Sequence, residues 1–219
     1  MSGAPDESTR VSLHAIAEGV LAGPQLAESG TIRLRVLQGG FATVAAPMLR
    51  LSGASLVRSD GQRLALEGTF AELAQAAGVA YHVPDIYSDH APVAATDAVT
   101  VEPQAVVEIA AWFERGRQSL VATAPGQTPV LWPEHFDVAV TVDEVNLGVS
   151  AGDGFSTRPY AYVGPWDFDP DVPAYGGGGF WNAPFGAVLE PPARPGPAPL
   201  TEFFRAGLER VRRGRRRGL

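Results

Sequence analysis

The chain contains no cysteine among its 219 residues. Disulfides, thiolate-bound metals and cysteine nucleophiles are thereby excluded. Lysine is absent as well, so all seventeen basic residues are arginine. No apolar run approaches the ~20 residues that a bilayer-crossing helix needs, and no membrane span is expected. The opening "MSGAPDESTR" lacks the basic-then-apolar layout of a secretory signal. A soluble, cytoplasmic protein is the expectation.

At this length folding hides roughly 70% of the unfolded chain's surface, enough for a core without covalent staples. Charge is unevenly placed. Residues 205–219 hold seven arginines and Glu209, a net +6, so the remainder carries −13 of the total −7. An acidic body does not attract nucleic acid. The arginine tail is either a solvated, frayed end or a contact for nucleic acid, anionic lipid or an acidic protein. No nucleic-acid-binding motif accompanies it.

Periodicity divides the chain. Residues 1–10 are expected to be disordered. "SLHAIAEGVLAG" reads as a helix capped by Ser12, striped by Leu13, Ile16, Val20 and Leu21, and ended by Gly23-Pro24. "TIRLRV", a Gly39-Gly40 turn and "FATV" read as strands. In "ASLVRSDGQRLALEG", Asp60-Gly61 suits a type I′ turn that pairs Val57 with Leu64 and Arg58 with Arg63. "TFAELAQAAG" has capping-box spacing at Thr69 and Glu72. A long helix follows Pro103, with Val106, Ile109, Ala110 and Phe113 facing inward and Gly116 weakening its middle. "RPYAYVGPW" and "FGAVLE" read as later strands. Residues 191–199 form a Pro-rich linker, and residues 200–219 a terminal helix capped at Thr201 with the arginine tail. The fold class is therefore α+β over residues 11–190. A curved antiparallel sheet built from hairpins is expected, with a long helix across one face and short helices at both ends.

One hairpin can be placed residue by residue. "DVAVTV" and "VNLGVS", joined through Asp143-Glu144, pair 142 with 145, 140 with 147 and 138 with 149. The valines then share one face. The other face pairs Asp137 with Ser150, Ala139 with Gly148 and Thr141 with Asn146, and a one-residue slip would invert both. That polar face is either the floor of a cleft or plain wet surface.

Candidate chemistry gathers just before it, in "LWPEHFDVAV". If strand alternation extends backward, His135 joins Asp137 on the polar face, where the carboxylate would orient the imidazole for general acid–base work. Two such ligands could also form part of a metal site, completed by His14 with Glu18 or by Glu144 and Asp153. The structural alternative is that both simply anchor the strand entrance. No strong metal spacing is present, and "WDFDPD" (Asp167, Asp169, Asp171) lacks the glycine and glutamate of a calcium loop. "GVSAGDG" matches neither a phosphate loop nor a nucleophile elbow, which makes Ser150 a poor nucleophile. Eleven of the nineteen aromatics lie between Trp132 and Phe185, so ring-lined pocket walls or a core filling can be built there. "YGGGGFWN" reads as a hinge with Phe180 and Trp181 as a lid, or as a loose loop over core.

"LWPEHFDVAV", "VNLGVSAGD", "PYAYVGPW" and "FWNAPFGAVL", with "LHAIAEGVL" and "GTIRLRVLQGGFAT", resemble a group of actinobacterial proteins of unknown function. A larger uncharacterised bacterial family is distantly similar in segment order. The resemblance covers roughly residues 11–190 and implies common descent but no activity. The expected function is a small-molecule binding protein or enzyme with an aromatic-lined cleft. His135 and Asp137 would handle protons. Trp132, Glu134, Asn146, Ser150, Tyr160, Tyr162, Trp166 and Trp181 would contact the ligand. The alternative is a non-enzymatic interaction protein using the aromatic surface and basic tail. The sequence specifies no cofactor, resident metal or oligomeric state.

Overall fold

A computed structural model describes residues 7–171, 179–191 and 196–217. Its centre is an open, ten-stranded antiparallel sheet in the order β10-β9-β8-β7-β6-β1-β2-β3-β4-β5. The strands are β1 (Leu34–Leu37), β2 (Gly40–Thr43), β3 (Leu49–Ser52), β4 (Ser55–Arg58), β5 (Arg63–Ala65), β6 (Val130–Trp132), β7 (Asp137–Val142), β8 (Val145–Ser150), β9 (Tyr160–Pro165) and β10 (Ala187–Leu189). Two five-stranded meanders therefore meet where Leu34 of β1 pairs with Leu131 of β6. The helices are α1 (Glu7–Ala15), a π-helical segment (Ile16–Ala22), α2 (Gly23–Ser29), α3 (Phe70–Ala77), α4 (Pro103–Thr123) and α5 (Ala198–Arg217). Among the described residues no helix is long and apolar enough to cross a membrane.

Helix α4 packs on β1, β2, β7 and β8, across the junction of the two meanders. Glu102 caps it by accepting from the Gln104 and Ala105 N–H groups. Its expected stripe, Val106, Ile109, Ala110 and Phe113, is buried. Gly116 is not merely a weak point. A Cβ there would lie 2.2 Å from Val149, so its absence lets the helix settle on β8.

The first helix departs from expectation at both ends. It begins at Glu7, within the stretch expected to be disordered. Ser12 is no cap; it lies inside the helix, where its Oγ accepts from the Thr100 N–H. Nor does the rod stop at Gly23-Pro24. A π turn intervenes, with the Gly23 N–H bonded to Glu18 O five residues back. Pro24, the second residue of α2, has no N–H to return to the π turn, where the Gly19 carbonyl accepts from the His82 N–H instead, and Gly30 ends α2 in the left-handed region.

The β7–β8 register is the expected one at all six pairs, from Asp137↔Ser150 to Val142↔Val145. Asp143 and Glu144 both have positive φ (50° and 60°), as a two-residue type I′ turn requires. The β4–β5 register differs by one from expectation. Val57 pairs with Arg63 and Leu56 with Leu64. Here Arg58 N–H donates to Gln62 O, and Gly61, at φ 86°, donates to Arg58 O. That is a three-residue loop with a bulge, not a two-residue turn. It frees the two arginines from opposing each other.

Helix α5 is also longer and better anchored than a short helix with a frayed tail. It starts at Ala198, and Thr201 donates to Pro197 O inside its first turn instead of capping it. Leu200, Phe204, Leu208 and Val211 are buried, and the helix packs on α4 and β9. It is thus part of the domain and not an appendage beyond a linker. Residues 192–195 of the Pro-rich segment, and 175–178 of the glycine run, lie outside the described residues.

Candidate functional site

"WPEHFD" is a hairpin turn. Trp132 on β6 pairs with Asp137 on β7, and residues 133–136 connect them. Phe136 has φ 48°, which breaks the strand alternation assumed for His135. The twist drives the Phe136 ring into the core, stacked on His14 at 5.4 Å and edge-on to Phe113 at 5.1 Å and Phe41 at 5.8 Å. It leaves His135 exposed at the surface, with Nδ1 3.3 Å from Asp89 Oδ2. The expected orientation of His135 by Asp137 is therefore replaced by two separate pairs, His135 with Asp89 and Asp137 with Tyr162.

The second pair depends on a gap in the floor. Tyr162 on β9 lies beside Gly148 on β8, which lies beside Ala139 on β7. A Cβ at Gly148 would meet the Tyr162 ring at 2.5 Å. Without it the ring reaches across β8, and the Tyr162 hydroxyl donates to Asp137 Oδ2. Asp137 is buried, and its Oδ1 has no hydrogen-bond partner. Burial pushes the Asp137 pKa up from 3.8 to about 6, opposed by the Tyr162 bond and the nearby His135. Burial and the facing Asp137 charge hold the Tyr162 phenol well above its usual range, so it acts as a donor.

Beside this pair, Asp153 is saturated with donors. Its Oδ2 accepts from Tyr160 OH at 2.5 Å and Ser150 Oγ at 3.2 Å, and its Oδ1 from the Phe155 and Ser156 N–H groups. At the other end of the face, Asn146 Oδ1 accepts from Thr141 Oγ1 and from the Trp166 indole N–H. An indole N–H only donates, so this contact orients the amide and leaves its NH2 group for other partners. Trp166 is 66% exposed and Phe155 45% exposed. Between these groups lies an open cleft of about 660 Å³.

Of the residues named from the sequence, the cleft brings together His135, Asp137, Asn146, Ser150, Tyr160, Tyr162 and Trp166. Three expected contacts lie elsewhere. Trp132 is half-buried beneath Arg33, whose guanidinium sits 5.7 Å from its ring. Glu134 turns inward, with Oε2 enclosed and unpartnered. Phe180 and Trp181 form no lid: they pack on each other, with Phe168 and Phe203 beside them, because the apolar face of α5 draws them there. Asp89, Phe155 and Phe185 line the cleft without having been expected. The sequence offers Asp153 only as a metal ligand. Its signal was its place in "GVSAGDG", where an Asp two residues before a backbone N–H forms a side-chain turn.

Behind the Phe136 ring the π segment buries Glu18. Its carboxylate accepts from the Ala91 N–H at 2.7 Å, meets His90 Nδ1 at 3.1 Å and lies 3.6 Å from His14 Nε2. Burial raises the Glu18 pKa and lowers that of His14 to about 4. The expected nearness of His14 and Glu18 is thus real. However, among the described residues no three His, Asp or Glu side chains come together as a metal site. Asp167 of "WDFDPD" bonds Arg215.

No protein-family model, curated protein or solved structure matches the chain.

Proposed function

We propose that this protein binds an organic small molecule in the cleft over β7, β8 and β9, and that Asp137 with Tyr162 handles a proton there. The supporting observation is the Asp137 carboxylate. One oxygen is held by Tyr162, the other is enclosed without a partner, and the residue borders a cavity of about 660 Å³. That volume falls within the range of small-molecule sites. A carboxyl group with a pKa near 6 is poised to donate a proton below that pH and to accept one above it. Tyr162, kept protonated by its surroundings, holds the carboxylate in place by donating its one hydroxyl hydrogen to it, which leaves the phenol oxygen able to accept from a ligand. His135, tied to Asp89, guards the rim.

A thermal-shift screen against a metabolite library tests this reading. Compounds that stabilise the wild type are expected to lose their effect in Trp166→Ala, which removes an exposed wall without touching the core. A screen without a single stabilising compound, or hits indifferent to Trp166→Ala and Asp137→Asn, would count decisively against a site in this cleft.

A further inference from the structure

The charges around the cleft constrain its ligand. Asp89, Asp137 and Asp153 border it, and no arginine is among its described lining residues. The chain has no lysine to supply. Among the described lining residues His135 is the one group able to carry positive charge, and it already faces Asp89. Asp153 is saturated by four donors. Asp137 is not: its residue is 5% exposed, yet Oδ1 lacks a donor. Oδ1 is enclosed, so the cleft feels this carboxylate chiefly through its charge, and the three bordering carboxylates repel an anion and favour a cation. The walls agree. The exposed rings of Trp166 and Phe155 offer surface to an apolar or aromatic body, and Trp166 is pinned at the rim by Asn146.

We propose that the cleft selects an organic cation, an ammonium carried on an apolar or aromatic body. The charged end lies against Asp137 and Asp89, and the body lies on Trp166 and Phe155. This rests on the reading that the cleft is a binding site, and it adds the class of ligand.

Binding and protonation are then linked. An ammonium group favours the charged carboxylate, so it binds more tightly above the Asp137 transition than below it, and binding releases a proton. The groups facing Asp137 are Tyr162 from β9, Glu134 and His135 from the turn, and Asp153 from the loop after β8. His135 is a second ionisable group lining the same cleft. The comparison therefore includes His135→Gln.

A matched series decides the matter: tyramine, tyrosol and 4-hydroxyphenylacetate share one aromatic body and end in ammonium, hydroxyl and carboxylate. Maltose adds a neutral polyol. Affinities are measured by calorimetry, and the Trp166 indole N–H, assigned by its loss in Trp166→Phe, is followed by NMR. At pH 7.5 tyramine should bind about tenfold or more tightly than tyrosol, with 4-hydroxyphenylacetate weakest. In His135→Gln the tyramine affinity should still fall about tenfold between pH 7.5 and 5, and Asp137→Asn should abolish both that fall and the preference. Asp89→Asn, at an exposed position, should weaken tyramine alone. If tyrosol or maltose binds as tightly as tyramine, or if the ammonium preference survives in both Asp variants, the cation inference is overturned while the cleft remains a site. If none of the four perturbs Trp166 at about 10 mM, well above the millimolar range expected for fragments this size, both are overturned.

Discussion

At the scale of single residues, two buried ionisable groups act in opposite senses over the same pH range. The folded chain keeps Asp137 protonated between 3.8 and about 6, where the unfolded chain has released that proton. Stability from this group therefore falls as pH rises through that window, by about 3 kcal/mol in all. His14, with its pKa lowered from 6.5 to about 4, is neutral in the fold where the unfolded chain is charged. Its penalty grows as pH falls from 6.5 to 4, again by about 3 kcal/mol. The two slopes offset each other. Asp137→Asn should match the wild type near pH 4 and exceed it by up to about 3 kcal/mol above pH 6.5. His14→Gln should gain most at pH 4 relative to its own value at pH 7. Urea unfolding at pH 4, 5.5 and 7.5 checks both. A pH-independent loss in Asp137→Asn would mean that the carboxylate is a net stabilising partner of Tyr162 rather than a buried burden.

At the scale of elements, turns and one missing side chain shape the site. The β7–β8 register places small residues beneath Tyr162, and Gly148 opens the path of its ring to Asp137. Gly148→Ala should cost roughly 1–3 kcal/mol by overpacking and should detach the tyrosine from the carboxylate. The detachment is visible as a lowered Tyr162 pKa in NMR titration. Gly164→Ala is the control. It lies on the same strand face, and its nearest added contact is an ordinary 3.5 Å to Phe185 O, so little change is expected. The turn before β7 is the opposite device. It holds Phe136 at positive φ so that a fully buried ring braces the strand entrance, and Phe136→Ala should cost about 3–5 kcal/mol in chemical denaturation.

At the scale of the whole molecule, part of the basic C-terminal helix is paired within the chain. Arg212 bonds Asp143, and Arg215 reaches Asp167 and the Asp143 carbonyl, so the basic end of α5 clasps the β7–β8 turn. Arg213 pairs with Glu209 on its own helix. These pairs are partly exposed and each is worth under about 1 kcal/mol. The apolar face of the same helix matters more. Arg215→Ala should lower stability by under about 1 kcal/mol, an effect lost in high salt. Phe204→Ala should cost about 3–5 kcal/mol at any salt concentration. Unfolding at low and high ionic strength distinguishes the two contributions. Equal, salt-insensitive losses would refute this division between charge and packing.

Local rules made the elements legible. The Thr69–Glu72 capping box, Pro103 at the start of α4 and the turn before Val145 all follow from bonds within a few residues. The β7–β8 register was readable because a period of two admits only one alignment of the valines, and the polar face of the cleft came with it. What the sequence could not determine depends on partners brought from afar. Asp89 reaches His135 across 46 residues, and Tyr162 reaches Asp137 across 25. The positive φ of Phe136, which ended the strand pattern one residue short of His135, is imposed by the core that its ring fills. The docking of α5, which turns an arginine-rich tail into a clasp, is likewise set by apolar burial. Above all, the burial that raises the Asp137 pKa is a property of three-dimensional surroundings. Desolvation is summed over everything packed around a group, and sequence neighbours supply only a small part of it.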